Sequence, residues 1–374
     1  MNNFKAGLAI IACLVLTLGC RRMVLDKKDL RDFQQVNLVA NNGEYGAKLT
    51  DTTLINAWGL AFSSNGIAWV NAQAGHVSEL YTAEGAIVRA PVKIPSPADT
   101  VGGLPTGIVF SGGKGFKISN GQAASFLFVG VDGVLSGWNG AANTRALRIK
   151  NNSATSAYTG LAIASNAGAN YIYAANFRTG KIDVWDTTFA SVSMQFRDPA
   201  LPAGYAPFNI QAVGAWLYVT YAKVGPDGED QAGPGNGFVD VFGTDGSFVK
   251  RFATRGSLNS PWGVAMAPAG FLQSNNMMGD DSGHDKGNKG HDDFDASQPV
   301  ILVGNFGDGR INVYTLDGRY QGQLQSHNKT IVIDGLWALS FPPSTATTID
   351  PDRLYFTAGP DDEKDGLFGY LIKK

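Results

Sequence analysis

The chain has 374 residues and a formal net charge of −2, with 30 Lys and Arg residues against 32 Asp and Glu residues. The basic residues are scattered and form no stripe, which argues against a nucleic-acid partner. A chain of this length can bury a large hydrophobic core without disulfides. The two cysteines, Cys13 and Cys20, both lie near the N-terminus. A thiolate metal site and a cysteine nucleophile are therefore excluded for the rest of the chain.

The first residues have the pattern of an export leader. Lys5 precedes an almost wholly apolar stretch, 8–18, which is too short for a membrane span and has the length of a signal-peptide core. The stretch ends in LTLGC at 16–20, which resembles a bacterial lipobox. The resemblance implies a signal peptide over 1–19, a lipid on Cys20, a charged tether over 20–32 and attachment to a bacterial membrane after export. An ordinary secretory signal with a chance cysteine is the alternative.

A phrase of two apolar runs and a glycine turn then returns about every fifty residues. Taking Gly59, Gly107, Gly160, Asn209 and Gly263 as equivalent positions, the steps are 48, 53, 49 and 54 residues. A sixth copy opens at Trp337. A period of this size is typical of arrays and propellers.

Within each copy the sequence predicts short β-strands. One copy divides into strands at 159–164, 171–175, 181–185 and an outer strand at 193–196, each rich in β-branched or aromatic residues. Four strands per repeat are typical of a propeller blade. We therefore predict an all-β fold, a single six-bladed β-propeller over 33–374. An open solenoid is the alternative.

The last copy supplies only three strands, at 336–341, 354–357 and 367–372. The segment 33–39 precedes the first copy and resembles an outer strand. We predict that it pairs with 367–372 and closes the ring, because this pairing removes two open sheet edges.

Two phrases, NFRTGKIDVW at 176–185 and NFGDGRINVY at 305–314, resemble the NHL repeat. Together with NAWGLA at 56–61 and GPGNGFVDVF at 233–242, they also resemble an uncharacterised family of exported bacterial propellers, some of which carry PEP-CTERM sorting tails. The resemblance implies a fold and an exported location and no established activity.

Amides and carboxylates recur where strands meet one end of the predicted channel. We predict that these residues line the channel mouth and contact a ligand: Asn56, Asn176, Asn209, Asn259, Asn305 and Asp334. Their oxygens could hold Ca²⁺, with Asp334, Asn209 and Asn259 as ligands, or bind the hydroxyls of a sugar or another polyol. The alternative is that they only form turns, which Asn and Asp favour.

Three further features bear on function. The acidic loops 223–231 and 360–365 are predicted to give the mouth a negative potential, and Trp58, Trp262 and Trp337 to pack near the axis. The insertion 272–298 is rich in Gly, Asn, Asp and His, matches no EF-hand spacing, and is predicted to be disordered.

The leading hypothesis is a monomeric, membrane-anchored scaffold that binds a sugar, polyol or protein partner without catalysis. The four histidines show no obvious nucleophile beside them, so a Ser-His-Asp triad is not expected. The alternative hypothesis is a divalent-metal-dependent hydrolase that resembles lactonase-type propellers. Against it, no glutamate is expected at a ring position, which leaves Asp334 as the main charge.

Overall fold

The computed structural model describes residues 29–113, 115–273 and 296–374. They form six main β-sheets and one short 3₁₀ turn, Gly140–Ala142. The strands in chain order are β1 (Phe33–Ala40), β2 (Leu49–Thr50), β3 (Ala57–Phe62), β4 (Ala68–Ala72), β5 (Val77–Tyr81), β6 (Val92–Lys93), β7 (Pro105–Phe110), β8 (Phe126–Gly130), β9 (Val134–Trp138), β10 (Leu147–Asn151), β11 (Tyr158–Asn166), β12 (Ala169–Asn176), β13 (Lys181–Asp186), β14 (Tyr205–Val213), β15 (Trp216–Lys223), β16 (Gly237–Phe242), β17 (Phe248–Thr254), β18 (Pro261–Ala267), β19 (Val300–Asn305), β20 (Ile311–Tyr314), β21 (Tyr320–Gln323), β22 (Gln325–Ser326), β23 (Lys329–Thr330), β24 (Leu336–Ser340), β25 (Leu354–Ala358) and β26 (Leu367–Lys373).

The sheets are the six blades of a β-propeller, as the repeat predicts. Blade 1 is β3–β6, blade 2 β7–β10, blade 3 β11–β13, blade 4 β14–β17 and blade 5 β18–β21, while β22 and β23 form a separate small hairpin. Blade 6 has the order β2-β1-β26-β25-β24. The first strands of successive blades contact one another, and β24 of blade 6 returns to β3 of blade 1, so the ring is closed.

The N-terminal strand closes the ring, which confirms the prediction for 33–39. β1 pairs antiparallel with β26, from Phe33 opposite Lys373 to Ala40 opposite Leu367. The pairing covers the outer edge of β26, and β2 adds two parallel residues beyond β1. An open solenoid would leave that edge unpaired.

The repeated glycine exists because the first strands lie very close together around the axis. A Cβ built on Gly59 would lie 2.0 Å from the carbonyl oxygen of Thr106 in the next blade. A Cβ on Gly107 would lie 2.5 Å from the backbone nitrogen of Leu161. These neighbours are backbone atoms, so they cannot rotate away. The period visible in the sequence is therefore a packing requirement between blades.

Blade 3 departs from the prediction, because residues 193–196 form no fourth strand. Beyond β13 only an isolated bridge joins Trp185 to Ser191. The following segment contacts both blades: Phe196 packs on Tyr173 of blade 3 and on Phe242 of blade 4, and Asp198 pairs with Arg251 of blade 4. These tertiary contacts thus outweigh the strand pattern and leave the outer edge of β13 largely uncovered.

The third strands of blades 1, 4 and 5 are buried along their whole length, at polar as well as apolar positions. Glu79, Asp240 and Asn312 occupy equivalent polar positions, and all three are buried. Each has an internal partner: the Thr53 hydroxyl donates to Glu79, Arg251 donates to Asp240, and Asn312 donates to a backbone carbonyl. Neighbouring blades cover both faces of these strands.

Several predictions from the sequence fall on residues that the structure does not describe. Residues 1–28 contain the predicted signal peptide, Cys20 and most of the tether, and 274–295 contain most of the predicted insertion. Leu272, at the predicted start of the insertion, is buried in the core.

Among the described residues, no helix is long and apolar enough to cross a bilayer.

The close approach at Gly59 gives a stability prediction. Gly59→Ala forces the backbones of blades 1 and 2 apart and should lower the free energy of unfolding by about 1–3 kcal/mol, the usual cost of overpacking. Chemical denaturation measures this difference. Gly43→Ala is the control, since a Cβ on Gly43 meets nothing within 4 Å. Equal stability of the two variants would contradict this account of the repeat.

Candidate functional site

The channel mouth is the end of the axis where first strands begin and second strands end. Every first strand carries a register shift within its opening residues, for example between Ala57 and Leu60 in blade 1 and between Pro261 and Val264 in blade 5. A bulge redirects the side chains around it. At the mouth, the bulged first strands bring large aromatic side chains together on the axis.

These rings form what we call the axial aromatic cluster. Trp58 and Trp337 stack with ring centroids 3.6 Å apart, and Phe306 stacks on Trp337 at 3.9 Å. Trp262 meets Trp337 edge-on at 6.0 Å. The prediction that these three tryptophans pack near the axis is confirmed. The other members of the cluster include Phe177 and Phe208.

The residues directly after the second strands complete the floor of the mouth. Val131, Phe177, Val224 and Phe306 follow β8, β12, β15 and β19 and pack against the cluster. Phe306 is only partly buried, so it caps the stacked rings. Asn176 and Asn305, which the sequence predicted at the mouth, lie one residue before Phe177 and Phe306. Neighbouring strand residues point to opposite faces, and this offset decides which side chain reaches the axis.

The five predicted asparagines are buried, and their amides bond inside the protein. Asn209 donates to the carbonyl of Trp262 in the next blade at 2.8 Å. The remaining contacts are Asn56 with Gln73, Glu363 and Trp337, Asn176 with Ala157, Thr179 and Asp183, Asn259 with Gly233, and Asn305 with Ser257 and Asp308. These bonds tie loops and neighbouring blades together at the mouth. A direct contact of these amides with a ligand stays a prediction.

The proposed calcium ligands have separate partners. Asp334 is exposed and accepts a hydrogen bond from the backbone N–H of Asp361 at 3.1 Å. Asn209 is engaged as described above, and the side-chain oxygen of Asn259 accepts the N–H of Gly233 at 2.6 Å. Within the part of the chain that the structure describes, no three His, Cys, Asp or Glu side chains converge as a metal-binding group.

A glutamate does stand at the mouth, contrary to the expectation from the sequence. The indole N–H of Trp337 donates to Asn56 Oδ1 at 2.9 Å, and Asn56 Nδ2 donates to Glu363 Oε2. Asn56 therefore links the axial aromatic cluster to a carboxylate. This linkage fixes the position of Glu363 beside the floor.

A second carboxylate comes from blade 4. Burial raises the pKa of Glu363, and the negative charges of Asp230, Glu229 and Asp362 raise it further. Burial also raises the pKa of Asp230, whose Oδ2 is buried and makes no hydrogen bond among the described residues. The two acidic loops therefore approach each other at the mouth, as predicted. Lys364 pairs with Asp361 and Asp362, and among the described residues Glu363 and Asp230 form no ion pair.

An unusual backbone conformation presents Glu363. Asp361, Asp362 and Glu363 have φ values of 54°, 52° and 64°, a left-handed turn of three non-glycine residues. Such residues cost of order 1–3 kcal/mol each and occur where the surrounding structure holds them, often at functional sites. Here the Glu363 N–H donates to the carbonyl of Gly359 at 3.1 Å. Asp334 holds the start of the turn through its bond to Asp361.

The left-handed turn also explains why the sequence did not reveal Glu363. The acidic loop 360–365 was recognisable, but strand alternation cannot tell which of its side chains points inward. Three successive acidic residues give no glycine or asparagine to mark the left-handed conformation. The fold supplies it through Asp365, which accepts bonds from Asn41, Asn42 and Tyr45.

The axial aromatic cluster gives a second stability prediction. Trp337→Ala removes a fully buried ring and the donor to Asn56, and it should lower the free energy of unfolding by about 3–5 kcal/mol. Trp216→Ala, at a tryptophan that is 46 % exposed, should change it by less than about 0.5 kcal/mol. Denaturant titration followed by circular dichroism compares the two. Similar losses would show that the cluster does not support the fold.

Comparison with known proteins identifies relatives. No protein-family model matches the chain. Among solved structures, a streptogramin B lyase is 12 % identical with a TM-score of 0.49, covering 91 % of this chain and 97 % of that chain. A virginiamycin B lyase from Staphylococcus aureus is 12 % identical with a TM-score of 0.43, covering 91 % and 99 %.

Two relatives from Acanthamoeba polyphaga mimivirus match over most of their length. Uncharacterized protein L690 is 33 % identical over 91 % of this chain and 86 % of its own, and uncharacterized protein R648 is 31 % identical over 98 % and 85 %. These relatives are viral, so they do not support the exported bacterial family that the sequence phrases suggest. By its sequence identity and coverage, the chain belongs to the family of the mimivirus proteins L690 and R648.

Proposed function

We propose that this protein is a non-enzymatic binding scaffold whose channel mouth takes a positively charged organic group. The observation that carries the proposal is geometric: Asn56 ties Glu363 to Trp337 of the axial aromatic cluster, and Asp230 forms a backbone bridge with Val224, which packs on the same cluster. Burial raises the pKa of both carboxyls. Phe306 and Glu363 are connected through Trp337 and Asn56. The aromatic floor and the carboxylate are thus linked by direct contacts at the same end of the channel.

The charge state of the mouth favours a cation over a neutral ligand. A raised carboxyl pKa means that the ionised form lacks compensation, and a bound cation supplies it. The face of an aromatic ring attracts a cation as well, and Phe306 is the accessible ring. Sugar hydroxyls would need accessible amides, whereas Asn209, Asn259 and Asn305 are buried and each already makes a hydrogen bond within the protein.

An organic cation also suits the site better than a metal ion. Calcium takes six to eight oxygen ligands close together. The described acidic side chains form no such group, whereas an amine can contact separated carboxylates and a ring at once. A cationic side chain of a partner protein and a polyamine share this chemistry.

The binding experiment uses residues 29–374, which contain every strand of the propeller, and spermidine as the probe. We expect calorimetric titration to show binding that weakens at least about tenfold in Glu363→Gln with Asp230→Asn, because a charge-assisted contact is worth about 1.5–3 kcal/mol. Asp317→Asn is the control, since this carboxylate is 63 % exposed and lies in the turn between β20 and β21, away from the mouth. Equal affinities in the wild type and the double variant would refute the proposal.

Binding should also depend on pH in a defined direction. Because the pKa of Glu363 is raised, this carboxyl is protonated at pH values where an ordinary glutamate is ionised. Affinity for spermidine should therefore rise with increasing pH through that titration, and the rise should shrink in Glu363→Gln.

Two other results would change the assignment. Stabilisation by Ca²⁺ that EDTA reverses and Asp334→Asn abolishes would favour the metal site. Lactone hydrolysis that is lost in the same variant would favour the lactonase-type hydrolase.

Membrane attachment through Cys20 is a second part of the proposal, supported by the sequence LTLGC at 16–20. We expect the full chain, expressed in a bacterium with lipoprotein processing, to be found with membranes. Mass spectrometry should show a lipid-modified peptide that begins at Cys20. In Cys20→Ser the modification should be absent. An unmodified Cys20 in the wild type would contradict lipidation and leave the proposal for the mouth untouched.

A further inference from the structure

Large exposed apolar side chains concentrate on the face opposite the channel mouth. This basal face consists of the turns that join first to second and third to fourth strands. Among the described residues, Val332 lies on the mouth side, in the loop that leads into β24. The other exposed large apolar residues lie on the basal face: Ile87, Val88, Trp216, Phe248, Val249, Met266, Leu316 and Tyr320.

Four of these residues converge between blades 4 and 5. Trp216, Val249, Met266 and Leu316 line a groove of about 510 Å³. Trp216 is 46 % exposed and Leu316 is 48 % exposed. Single exposed apolar residues are normal on soluble proteins, but a contiguous group marks an interaction surface.

Basic groups lie at the edge of this group. The ammonium of Lys250 donates to the carbonyls of Leu316 and Asp317 at 3.3 and 3.1 Å. Arg319, 65 % exposed in the same turn, pairs with Asp317 at 3.2 Å, so Lys250 is the basic group of this edge that has no ion-pair partner among the described residues. Tryptophan with basic residues at its side is the combination found at membrane interfaces, where the ring enters the headgroup layer and the cation stays in water.

The course of the chain favours a lipid surface as the occupant. β26 runs from the mouth to the base, and β1 pairs antiparallel with it, so the chain enters the propeller at the basal face. Eight residues lie between Cys20 and Asp29, where the described structure begins, and the nine Cα–Cα steps from Cys20 to Asp29 can reach about 30 Å when extended. A lipid on Cys20 would therefore lie on the side of Trp216 and Leu316.

We propose that the basal face docks onto a lipid bilayer through Trp216, Val249, Met266 and Leu316, and that the channel mouth then faces the solvent. Insertion of these apolar side chains into the bilayer would add to the membrane binding that a lipid on Cys20 provides. The orientation relative to the anchor rests on the proposed lipidation of Cys20. The affinity of the basal face for lipid does not.

The experiment uses residues 29–374, which have no lipidation site, so only the basal face is tested. The probe is a vesicle of phosphatidylethanolamine with a minority of phosphatidylglycerol, in which part of the acyl chains are brominated. Trp216 is the exposed tryptophan, and the other six are buried or nearly so. We expect brominated lipid to quench fluorescence in the wild type and much less in Trp216→Phe.

Co-sedimentation with the same vesicles measures affinity. Trp216→Glu with Leu316→Glu should weaken binding at least about tenfold, because two apolar side chains no longer leave water. Val332→Glu is the matched control, since Val332 is 56 % exposed on the opposite side. Circular dichroism checks that both variants are folded.

Three results would overturn the proposal. The first is absence of quenching, and the second is equal binding of the double variant and Val332→Glu. The third is a dimer without vesicles that Trp216→Glu with Leu316→Glu dissociates, which would assign the face to a second copy of the chain. None of these results bears on spermidine binding at the mouth, so the two proposals can fail separately.

Discussion

The pairing of β1 with β26 is the constraint on which the rest of the structure depends. It joins the two ends of the chain in one sheet and holds blade 6 against blade 1. Beyond β1 the chain turns through Asn41, Asn42 and Tyr45, all of which bond to Asp365. Asp365 ends the left-handed turn that carries Glu363. Closure of the ring therefore also positions the carboxylate of the candidate site.

The repeated glycines and the axial aromatic cluster are two results of the same packing. Glycines such as Gly59 and Gly107 let the first strands approach until backbone meets backbone. The bulges at the start of the first strands turn Trp58, Trp262 and Trp337 toward the axis. Their rings fill the space that the closely packed strands enclose. The mouth thus has an aromatic floor, in which the rings other than Phe306 are buried, beside the carboxylates of the two acidic loops.

The sequence was sufficient for the architecture because the repeat is imposed by contacts between blades. The period, the third strands and the closing strand could all be read from it. The absence of a fourth strand in blade 3 could not be predicted, because it depends on contacts with blade 4: Phe196 packs on Phe242, and Asp198 pairs with Arg251. A strand pattern describes local preference, and one ring contact with one ion pair was enough to override it here.

The candidate site was harder to predict than the fold, for a related physical reason. A shift of one residue along a strand moves a side chain to the other face of the sheet. Asn305 was predicted to face the mouth, but the ring that packs on the axial aromatic cluster belongs to the next residue, Phe306. Glu363 depends on three residues whose conformation comes from bonds made by distant parts of the chain, among them Asp334 and Asn56. The run of acidic residues identified the loop 360–365 in the sequence, but only the folded structure determines which of its side chains faces the axis.

The two faces of the propeller have opposite chemistry, although they are opposite ends of the same strands. The mouth gathers carboxylates around aromatic rings, and the base exposes Trp216 and Leu316 beside Lys250. Between them the second strands are buried along most of their length, which leaves little freedom for one end to move with respect to the other. A ring of this kind can hold one face against a surface while the other keeps its geometry. Separation of the two surfaces by a buried core is therefore the physical basis for treating the proposed attachment and the proposed ligand recognition as independent of each other.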